Sequence, residues 1–294
     1  MVQLLRQEIP YTCVPTMEKN LSTASSVIIC ADDFAIGPEV SEGIALLAEQ
    51  SCISATSVMS LSPHWPAVSA FLPMVKNKID VGLHFDLTSE FSIRSGYGDS
   101  LSRLMLKSCL RALEPSEIEL NLHHQLNLFE AHHGEPPKHI DGHQHVHQFP
   151  VIREVLVKVL VNRYSADQMP WIRISRIPRS QMNFKATVIN AMGANALQKL
   201  AVEYQIPHSS YLTGIYDFEG DAQIYTQFLN QCLKNLPSNS VLMCHPGLAG
   251  PHAVPYPLAR IWEQNVLQSN DFPELLKRMG LKLVRGSHSL TRYV

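Results

Sequence analysis

Four histidines and an aspartate fall within nine residues, in the stretch HIDGHQHVH at residues 139–147. In an extended chain, alternate residues share one side, so a strand would place His143, His145 and His147 together. In a helical turn, His143 and His147 would share a face. Neutral imidazole is a ligand of Zn²⁺ and other first-row divalent ions. The stretch therefore predicts a metal or acid–base site that uses at least one of these histidines, with a polar, solvated turn as the alternative.

Other ionisable residues stand where five predicted strands end. The full set is Asp32, Asp33, His84, His143, Arg173, Arg176 and His245. Each has an ordinary structural interpretation: the aspartates as a helix cap, the histidines as satisfied core or strand-end residues, and the arginines as surface charges. The carboxyl ends of parallel strands meet on one face, where α/β proteins build their sites. We therefore expect residues more than 200 positions apart to converge.

This residue set suits metal-assisted hydrolysis. One carboxylate and two imidazoles leave positions open on a divalent ion, as in catalytic rather than structural sites, and a carboxylate also admits Mg²⁺. The ion lowers the pKa of its water to about 7 and polarises a carbonyl. A second carboxylate could accept a proton, and a histidine opposite could protonate the leaving group. These are the groups that a hydrolase of a C–N or C–O acyl bond requires.

The elements that would position these residues alternate between strands and helices. Strands are predicted at residues 26–31, 53–59, 79–87, 138–143, 171–177, 240–246 and 281–286. Helices are predicted at residues 38–50, 65–76, 114–133, 151–164, 185–204, 221–234 and 271–279, with a loop at 88–102. This alternation indicates parallel βαβ units with about seven strands. Residues 26–294 are predicted to form one domain, after a poorly ordered N-terminal tail at 1–25.

The composition predicts a globular protein with a large core. The chain has 294 residues, of which 45% are hydrophobic and 17% charged, with a net charge of −2. A large core is available, and neither nucleic acid nor an anionic membrane is an expected partner. The six cysteines have no CxxC spacing, which predicts free thiols in a cytoplasmic protein. No run approaches the ~18 apolar residues of a membrane span, and the first 25 residues lack the apolar core of a signal peptide.

Four motifs resemble those of the YdjC-like carbohydrate deacetylases, which include the chitooligosaccharide deacetylases. They are ADDF at 31–34, GLHFDLT at 82–88, HIDGHQHVH at 139–147 and MCHPG at 243–247. They occur in the family's order across residues 27–284, and they are specific only in combination. The resemblance implies an irregular (β/α) barrel, a divalent metal that is usually Mg²⁺ (with Zn²⁺ as the alternative) and deacetylation of an N-acetylated sugar. It also implies a small-molecule carbohydrate substrate, with a homodimer as one expected assembly.

The same motifs assign roles to individual residues. Asp33, His84 and His143 match the family's metal ligands. Asp32 matches the general base, and His245 matches the general acid. The candidates for supporting or substrate-contacting roles are Asp141, His145, His147, Arg173 and Arg176. Either arginine resembles one that orients the base carboxylate in related deacetylases.

The chain departs from the family pattern at two positions. Ala35 stands where the family usually has Gly after ADDF, and Ser41 stands where it often has Asn. If position 35 requires a positive φ, alanine strains the turn by roughly 1 kcal/mol, unless Gly37 takes over the turn. Both departures concern the loop that follows Asp33.

Two other functions stay open: a metal-dependent hydrolase of another amide or a phosphoester on the same barrel, and a non-enzymatic relative that binds sugar or metal. A phosphate substrate would favour a cluster of basic residues, whereas only Arg173 and Arg176 stand near the predicted site. Intact Asp32 and His245 argue against the non-enzymatic alternative. A sugar also needs a platform, for which the candidates are Trp65, Tyr97 and Trp171.

Overall fold

A computed structural model describes residues 25–290 as a curled parallel sheet surrounded by helices. The strands are β1 (Ser25–Phe34), β2 (Ala55–Val58), β3 (Asp80–Phe85), β4 (His139–Gly142), β5 (Trp171–Ile172), β6 (Leu212–Thr213), β7 (Ser240–Cys244) and β8 (Leu281–Leu283). Seven of them follow the order β5-β4-β3-β2-β1-β7-β6, and β8 pairs with β1. The parallel βαβ architecture is confirmed. Apart from Ser25, which opens β1, the predicted tail lies outside the described residues.

Hydrogen bonds connect the two edges of this sheet. The Ile172 N–H donates to the Pro207 carbonyl at 2.9 Å, and the Ser209 N–H donates to the Ile172 carbonyl at 3.0 Å. Further along, the Leu212 N–H donates to the Arg176 carbonyl at 2.7 Å. The chain after β5 therefore runs beside the segment that enters β6. The sheet curls into an irregular barrel, as the family resemblance implied.

Twelve helices flank the sheet within residues 25–290. They are α1 (Pro38–Glu49), α2 (Trp65–Val68), α3 (Glu90–Arg94), α4 (Leu101–Cys109), α5 (Pro115–His133), α6 (Ile152–Arg163), α7 (Phe184–Ile189), α8 (Asn195–Glu203), α9 (Ala222–Leu233), α10 (Pro257–Leu267), α11 (Asp271–Arg278) and α12 (Gly286–Ser289). In this described part, none of the helices combines the length and hydropathy that a membrane crossing needs.

The long predicted helices begin and end at recognisable signals. Pro38 and Pro115 occupy the first turns of α1 and α5, where a missing N–H is tolerated. Gly134 ends α5 with a φ of 80°, a conformation that glycine adopts without strain. The Asp221 side chain caps α9 by accepting two backbone N–H groups.

Three predicted elements differ from the structure, and four observed elements were missed. The strand predicted at 171–177 ends at Ile172, and beyond it the Ile174 N–H bonds the Ser209 hydroxyl rather than a neighbouring strand. The loop predicted at 88–102 contains α3. The helix predicted at 185–204 breaks at Gly193, which has a φ of 132°. The sequence analysis also missed three helices and one strand: α4 (Leu101–Cys109), α10 (Pro257–Leu267), α12 (Gly286–Ser289) and β6 (Leu212–Thr213).

Alternation along β1 separates the interior of the barrel from the layer beneath the helices. Ile28 and Cys30 belong to a small interior cluster, whereas Val27 and Ile29 pack with the larger core under the helices. Since side chains alternate along a strand, Asp32 continues the interior series. This alternation brings a carboxylate to the inside of the barrel where β1 ends.

Candidate metal and catalytic site

The predicted site residues converge at the carboxyl ends of the strands. His84 lies near the end of β3, while His143, Arg173 and His245 directly follow β4, β5 and β7. A cavity of about 470 Å³ opens at this end of the barrel. Among the residues that line it are Asp32, Asp33, His84, His143, His145 and His245. The structure thus collects residues from four separate strands around one space.

Both carboxylates of the aspartate pair reach this space because the backbone of β1 is irregular there. Adjacent residues of a regular strand point to opposite faces. Asp33 has a φ of 67°, and the pairing register of β1 with β2 shifts between Ala31 and Phe34. This left-handed residue turns the Asp33 side chain toward the cavity that Asp32 also lines. Sequence patterns of strands gave no signal for this turn.

Three donor atoms form a group suited to a divalent ion. Asp33 Oδ1 lies 3.5 Å from His84 Nε2 and 3.4 Å from His143 Nδ1. This oxygen is buried and has no hydrogen-bond partner in the described structure. Two donors that are each about 2.1 Å from one ion stand about 3.0–3.4 Å apart. The unpaired oxygen and the two facing nitrogens therefore fit a bound cation.

His84 is oriented for this role by a carboxylate behind it. Its Nδ1 lies 2.6 Å from Asp141 Oδ1, which leaves Nε2 facing Asp33. A metal-binding histidine commonly makes such a second bond, which fixes its tautomer and ring orientation. Burial alone would lower the pKa of His84, but the carboxylate of Asp141, together with those of the aspartate pair, raises it to about 9. The negative potential that favours a proton at this position also favours a cation.

The second oxygen of Asp33 is held by a buried arginine. Arg260 Nη2 on α10 donates to Asp33 Oδ2 at 2.6 Å. Although burial opposes it, the guanidinium, assisted by His143, holds the pKa of Asp33 well below its usual range. Asp33 is thus an ionised carboxylate with one oxygen engaged and one available. The sequence analysis missed Arg260 because it did not identify the helix α10 that carries it.

Arg173 organises the two other carboxylates. Its Nη1 and Nη2 donate to Asp32 Oδ1 and Oδ2 at 2.7 and 2.8 Å, and Nη1 also lies 3.1 Å from Asp141 Oδ2. Such bidentate pairing fixes both position and orientation. Arg176 lies elsewhere, with its guanidinium 4.1 Å from the centre of the Tyr211 ring. Of the two candidate arginines, only Arg173 contacts the aspartate pair.

Two further donor triplets overlap with this group. Asp32, His84 and Asp141 form one, and Cys30, His139 and Asp141 form the other. Both depend on Asp141, whose oxygens are occupied by His84, Arg173 and the Ser57 hydroxyl. The positive guanidinium also disfavours a cation beside it. The triplet built on Asp33 is the better candidate for the metal centre.

After β4, residues 143–148 form a short, kinked turn rather than a continued strand or a regular helical turn. Gln144 and His145 adopt positive φ values of 53° and 62°, so the three histidines point in different directions. His143 faces Asp33. His145 Nδ1 lies 3.2 Å from the Ser175 hydroxyl. His147 donates from Nε2 to the Arg173 carbonyl at 2.8 Å, which ties this turn to the strand end that carries the guanidinium.

His245 lines the cavity beside an aromatic pair. Its ring meets Phe218 edge-on at 5.0 Å, and Phe218 stacks on Tyr256 at 4.2 Å. Its Nδ1 has no hydrogen-bond partner among the described residues. Burial lowers the pKa of His245 to about 4. This imidazole is therefore neutral at pH 7 before substrate binds.

Glu263 on α10 holds the backbone of His245. Its Oε2 accepts from the His245 N–H at 2.6 Å and from the Tyr225 hydroxyl at 3.1 Å, while Oε1 accepts from the Tyr216 hydroxyl at 2.7 Å. Burial raises the pKa of Glu263 to about 7, although these hydrogen bonds oppose the shift. The sequence analysis missed this carboxylate together with α10.

Glu263 gives a testable dependence of stability on pH. Its folded pKa of about 7 exceeds the value of an unfolded glutamate, so between these values the folded protein retains a proton that the unfolded chain loses. The contribution of Glu263 to the free energy of unfolding is fully present below about pH 4.3 and is lost as the pH rises toward 7. The quantity to measure is the difference in unfolding free energy between the wild type and Glu263→Gln. We predict that this difference falls by up to about 1.4 kcal/mol per pH unit as the pH rises from 5 to 7. A constant difference, measured by urea denaturation across this range, would contradict the raised pKa.

In the turn after Asp33, Ala35 adopts the positive φ that strains an alanine. Ala35 has a φ of 74°, whereas Gly37 is extended with a φ of −162° and does not take over. The buried Ser41 hydroxyl accepts from the Ala35 N–H at 2.9 Å and donates to the Gly37 carbonyl at 3.0 Å. Ser41 therefore holds an alanine in a conformation that normally favours glycine.

Ser41→Ala should destabilise this turn, because it leaves the buried Ala35 N–H without an acceptor. The expected loss is about 1–3 kcal/mol of unfolding free energy, measured by chemical denaturation. Ser116→Ala is the matched control, since that exposed hydroxyl bonds only the exposed Glu114 and its loss should stay within about 0.5 kcal/mol. Equal effects of the two substitutions would show that Ser41 does not support the turn.

The three aromatic residues considered as sugar platforms do not line the cavity. Trp65 is buried between Phe34 and Phe129, and Trp171 stacks on His139. Tyr97 lies beside His124. The aromatic residues that do line the cavity are Phe149, Phe184, Tyr216, Phe218 and Tyr256. Their sequence positions, mostly in loops, offered no periodic signal.

Comparison with known proteins shows similarity over most of the chain. The sequence model of a family described as YdjC-like protein matches residues 26–278. A protein of Yersinia enterocolitica named chitooligosaccharide deacetylase is 26% identical over 274 residues, covering 90% of this chain and 98% of that protein. One of the same name from Yersinia pestis is 25% identical over 270 residues, covering 87% and 96%. A crystal structure from Enterococcus faecalis V583, described as a candidate cellobiose-phosphate cleavage protein, has a TM-score of 0.68 at 18% identity, covering 91% of this chain and 100% of that one. It supports the fold alone.

Proposed function

The chain belongs to the YdjC-like protein family, and on that premise we propose that it is a metal-dependent hydrolase that removes acetyl groups from N-acetylated sugars. The observation that carries the proposal is the unpaired Asp33 Oδ1 between two imidazole nitrogens, beside an Asp32 that Arg173 holds. The name shared by two relatives, chitooligosaccharide deacetylase, supports the choice of substrate.

Asp33, His84 and His143 would hold the metal. When bound, a divalent ion lowers the pKa of water and polarises a carbonyl. The family resemblance favours Mg²⁺, whereas the pair of imidazoles suits Zn²⁺, so both ions belong in any reconstitution. Asp141 would support the site by fixing the ring of His84.

Asp32 is the proposed general base. Its two oxygens are held by the Arg173 guanidinium, and it lines the same cavity as the metal ligands. A fixed carboxylate can accept a proton from the attacking water without reorganising. The hydroxyl adds to the acyl carbon, and the C–N bond then breaks to give acetate and the free amine. One water is consumed. The proton that Asp32 accepts would reach the amine by way of His245, which regenerates both groups, and the remaining proton is released to solvent when the acetic acid product ionises.

His245 is the proposed general acid. It directly follows β7, across the barrel from the β3–β4 side that supplies His84 and His143. Because its imidazole is neutral at pH 7, His245 must gain a proton during the reaction before it can donate one to the nitrogen. Glu263 fixes the backbone from which the imidazole projects. In this proposal, proton acceptance and proton donation belong to residues at the ends of two different strands.

The general-acid role can be separated from the rest of the reaction by the choice of leaving group. An amide nitrogen needs a proton to depart, whereas 4-nitrophenolate does not. We predict that His245→Gln lowers turnover of an N-acetylated sugar by about 100-fold but lowers hydrolysis of 4-nitrophenyl acetate by less than about tenfold. Equal losses on both substrates, at unchanged metal content, would show that His245 acts in binding rather than in proton donation.

A phosphoester substrate receives less support from the cavity. The basic residues that line it are Lys185 and Arg260. Arg260 is committed to Asp33, and Lys185 Nζ bonds the Tyr216 carbonyl and lies 3.5 Å from Asp217. Neither is free to neutralise a phosphate. An uncharged acyl substrate suits these surroundings better.

We also propose a cytoplasmic location. Five of the six cysteines fall within the described residues and are free thiols, as expected in a reducing compartment. The homodimer stays a prediction, which a measurement of the mass in solution can test.

A further inference from the structure

We propose that Ser57 and His139 are positioning residues of the metal centre, which act through Asp141 to fix the tautomer and the direction of His84. The inference rests on the proposed metal-dependent function and deepens it. His139 is the first histidine of the HIDGHQHVH stretch. It opens β4, is fully buried and does not line the cavity. Its role must therefore be sought in the interior of the barrel.

The interior forms a layer of side chains directly beneath the proposed metal centre. On β4, His139 lies two residues before Asp141, so both side chains face inward. Gly82 stands in the same relation to His84 on β3. A Cβ on Gly82 would come within 2.4 Å of the His139 ring, so glycine leaves the room that the ring occupies. The fully buried Ser57 on β2 reaches the same layer.

Charge fixes the direction of the hydrogen bond between Ser57 and Asp141. Although burial opposes it, the guanidinium of Arg173 lowers the pKa of Asp141. This carboxylate is therefore ionised and can only accept hydrogen bonds. The Ser57 hydroxyl lies 2.5 Å from Asp141 Oδ2, and its single proton is donated there. The Ser57 oxygen is then left as an acceptor.

His139 supplies the donor that this oxygen needs. Its Nε2 lies 3.1 Å from Ser57 Oγ, whereas its Nδ1 is buried and has no hydrogen-bond partner among the described residues. Burial lowers the pKa of His139, so the ring is neutral and carries one proton. A proton on Nε2 makes a hydrogen bond and a proton on Nδ1 does not, which assigns the Nε2–H tautomer.

The ring of His139 is held in this orientation by its other neighbours. It stacks on Trp171 with the ring centres 4.5 Å apart, and the Trp171 Nε1–H donates to Asp80 Oδ2 at 3.0 Å. On the β1 side, Cys30 Sγ lies 3.3 Å from Ser57 Oγ. These contacts enclose the histidine and the serine, so neither side chain has room to turn away.

The result is a directed chain of hydrogen bonds that ends at the metal centre. His139 donates to Ser57, and Ser57 donates to Asp141 Oδ2. Asp141 Oδ1 accepts from His84 Nδ1 at 2.6 Å, which leaves the lone pair of His84 Nε2 for a metal. Without the serine, Asp141 Oδ2 would keep only Arg173 at 3.1 Å. The carboxylate would then be free to turn, and His84 with it.

Removing the serine hydroxyl tests the chain. Ser57→Ala should weaken Zn²⁺ binding by about tenfold, the lower end of the cost of losing a residue that supports a ligand. Calorimetric titration of metal-stripped protein measures the affinity. An affinity equal to that of the wild type would overturn the proposal. A wild type that binds no metal would instead remove the proposed function.

Ser54→Ala is the matched control. The buried Ser54 hydroxyl accepts from the Ile29 N–H at 3.0 Å and lies outside the chain that leads to Asp141. Its loss should lower stability and leave the Zn²⁺ affinity unchanged. Equal losses of affinity in Ser54→Ala and Ser57→Ala would show a general effect of destabilising β2 and would contradict a positioning role.

A double-mutant cycle tests whether Ser57 acts through Asp141. Asp141→Asn alone should weaken Zn²⁺ binding by about 10- to 100-fold. Adding Ser57→Ala to it should cause no further loss, since both changes break the same chain and their effects are not additive. A further loss as large as that of Ser57→Ala alone would show that the serine acts by another route and would overturn the proposal.

The direction of the chain can be read in the wild type, which also covers the case that Ser57→Ala fails to fold. Two-bond ¹H–¹⁵N correlation spectra of zinc-loaded protein labelled on histidine distinguish the two neutral tautomers, and His139→Gln identifies the His139 signal. We expect a proton on Nε2 of His139 and on Nδ1 of His84. A proton on His139 Nδ1 would require the Ser57 proton to point at the histidine instead of Asp141, and it would overturn the proposal.

Discussion

Replacing Asp32 by Asn should remove nearly all turnover, by about 10²- to 10⁴-fold, while the protein still binds its metal. The amide cannot accept a proton from water, but it retains nearly the shape of the carboxylate. Arg173 keeps Asp141 as a partner at 3.1 Å, so its buried charge is not left alone and the fold should survive. The measurement pairs the rate of acetate release with metal content after dialysis.

Asp80→Asn is the matched control for this experiment. Asp80 is a fully buried carboxylate at the opposite end of the barrel, where it bonds Trp171, Arg285 and Ser287. Its loss should lower stability without changing metal content or the rate per folded molecule. If Asp32→Asn retained a rate near that of the wild type, Asp32 would not be the base. If it lost metal as well, Asp32 would be a ligand.

His143→Ala should weaken metal binding by at least about 100-fold, with a corresponding loss of activity at limiting metal. Loss of a residue that merely supports a ligand already costs about 10- to 100-fold in affinity, and His143 would be a ligand itself. Its side chain is 19% exposed and its ion-pair contact is with Asp33, so the fold should tolerate the substitution. Calorimetric titration of metal-stripped protein with Zn²⁺ or Mn²⁺ measures the effect.

His145→Ala is the control for this substitution, two residues along the same turn. Its Nδ1 faces the Ser175 hydroxyl rather than Asp33, so metal affinity should change by less than about tenfold. Comparable losses in both variants would contradict a centre built on Asp33, His84 and His143. A loss confined to His145→Ala would reassign the ligand within the stretch.

The alternation of elements and the ends of the strands were predictable from the sequence. Continuous apolar runs marked the buried strands, and the rule that parallel strands end on one face predicted that Asp32, His84 and His245 lie together. Arg173 could be placed on this face but could not be told from Arg176. Only the observed contacts showed which of the two reaches Asp32.

Other parts of the site depend on geometry that sequence periodicity does not encode. The left-handed backbone of Asp33 turns a second carboxylate into the cavity. Residues 144 and 145 are also left-handed, and they point His143, His145 and His147 in different directions. A regular strand or helical turn would have placed at least two of these histidines on the same side. Arg260 and Glu263 are ordinary surface residue types in a helix that was not identified. They are buried only because α10 packs where β1 and β7 end.

The most direct test of the central claim is acetate release from N,N′-diacetylchitobiose and longer N-acetylated oligosaccharides, with chelator and after re-addition of Mg²⁺ or Zn²⁺. We predict that chelation abolishes release and that one of the two ions restores it. Acetate release that persists unchanged after complete removal of metal would contradict a metal-dependent deacetylase. So would the absence of release from any of these sugars by protein shown to hold the metal.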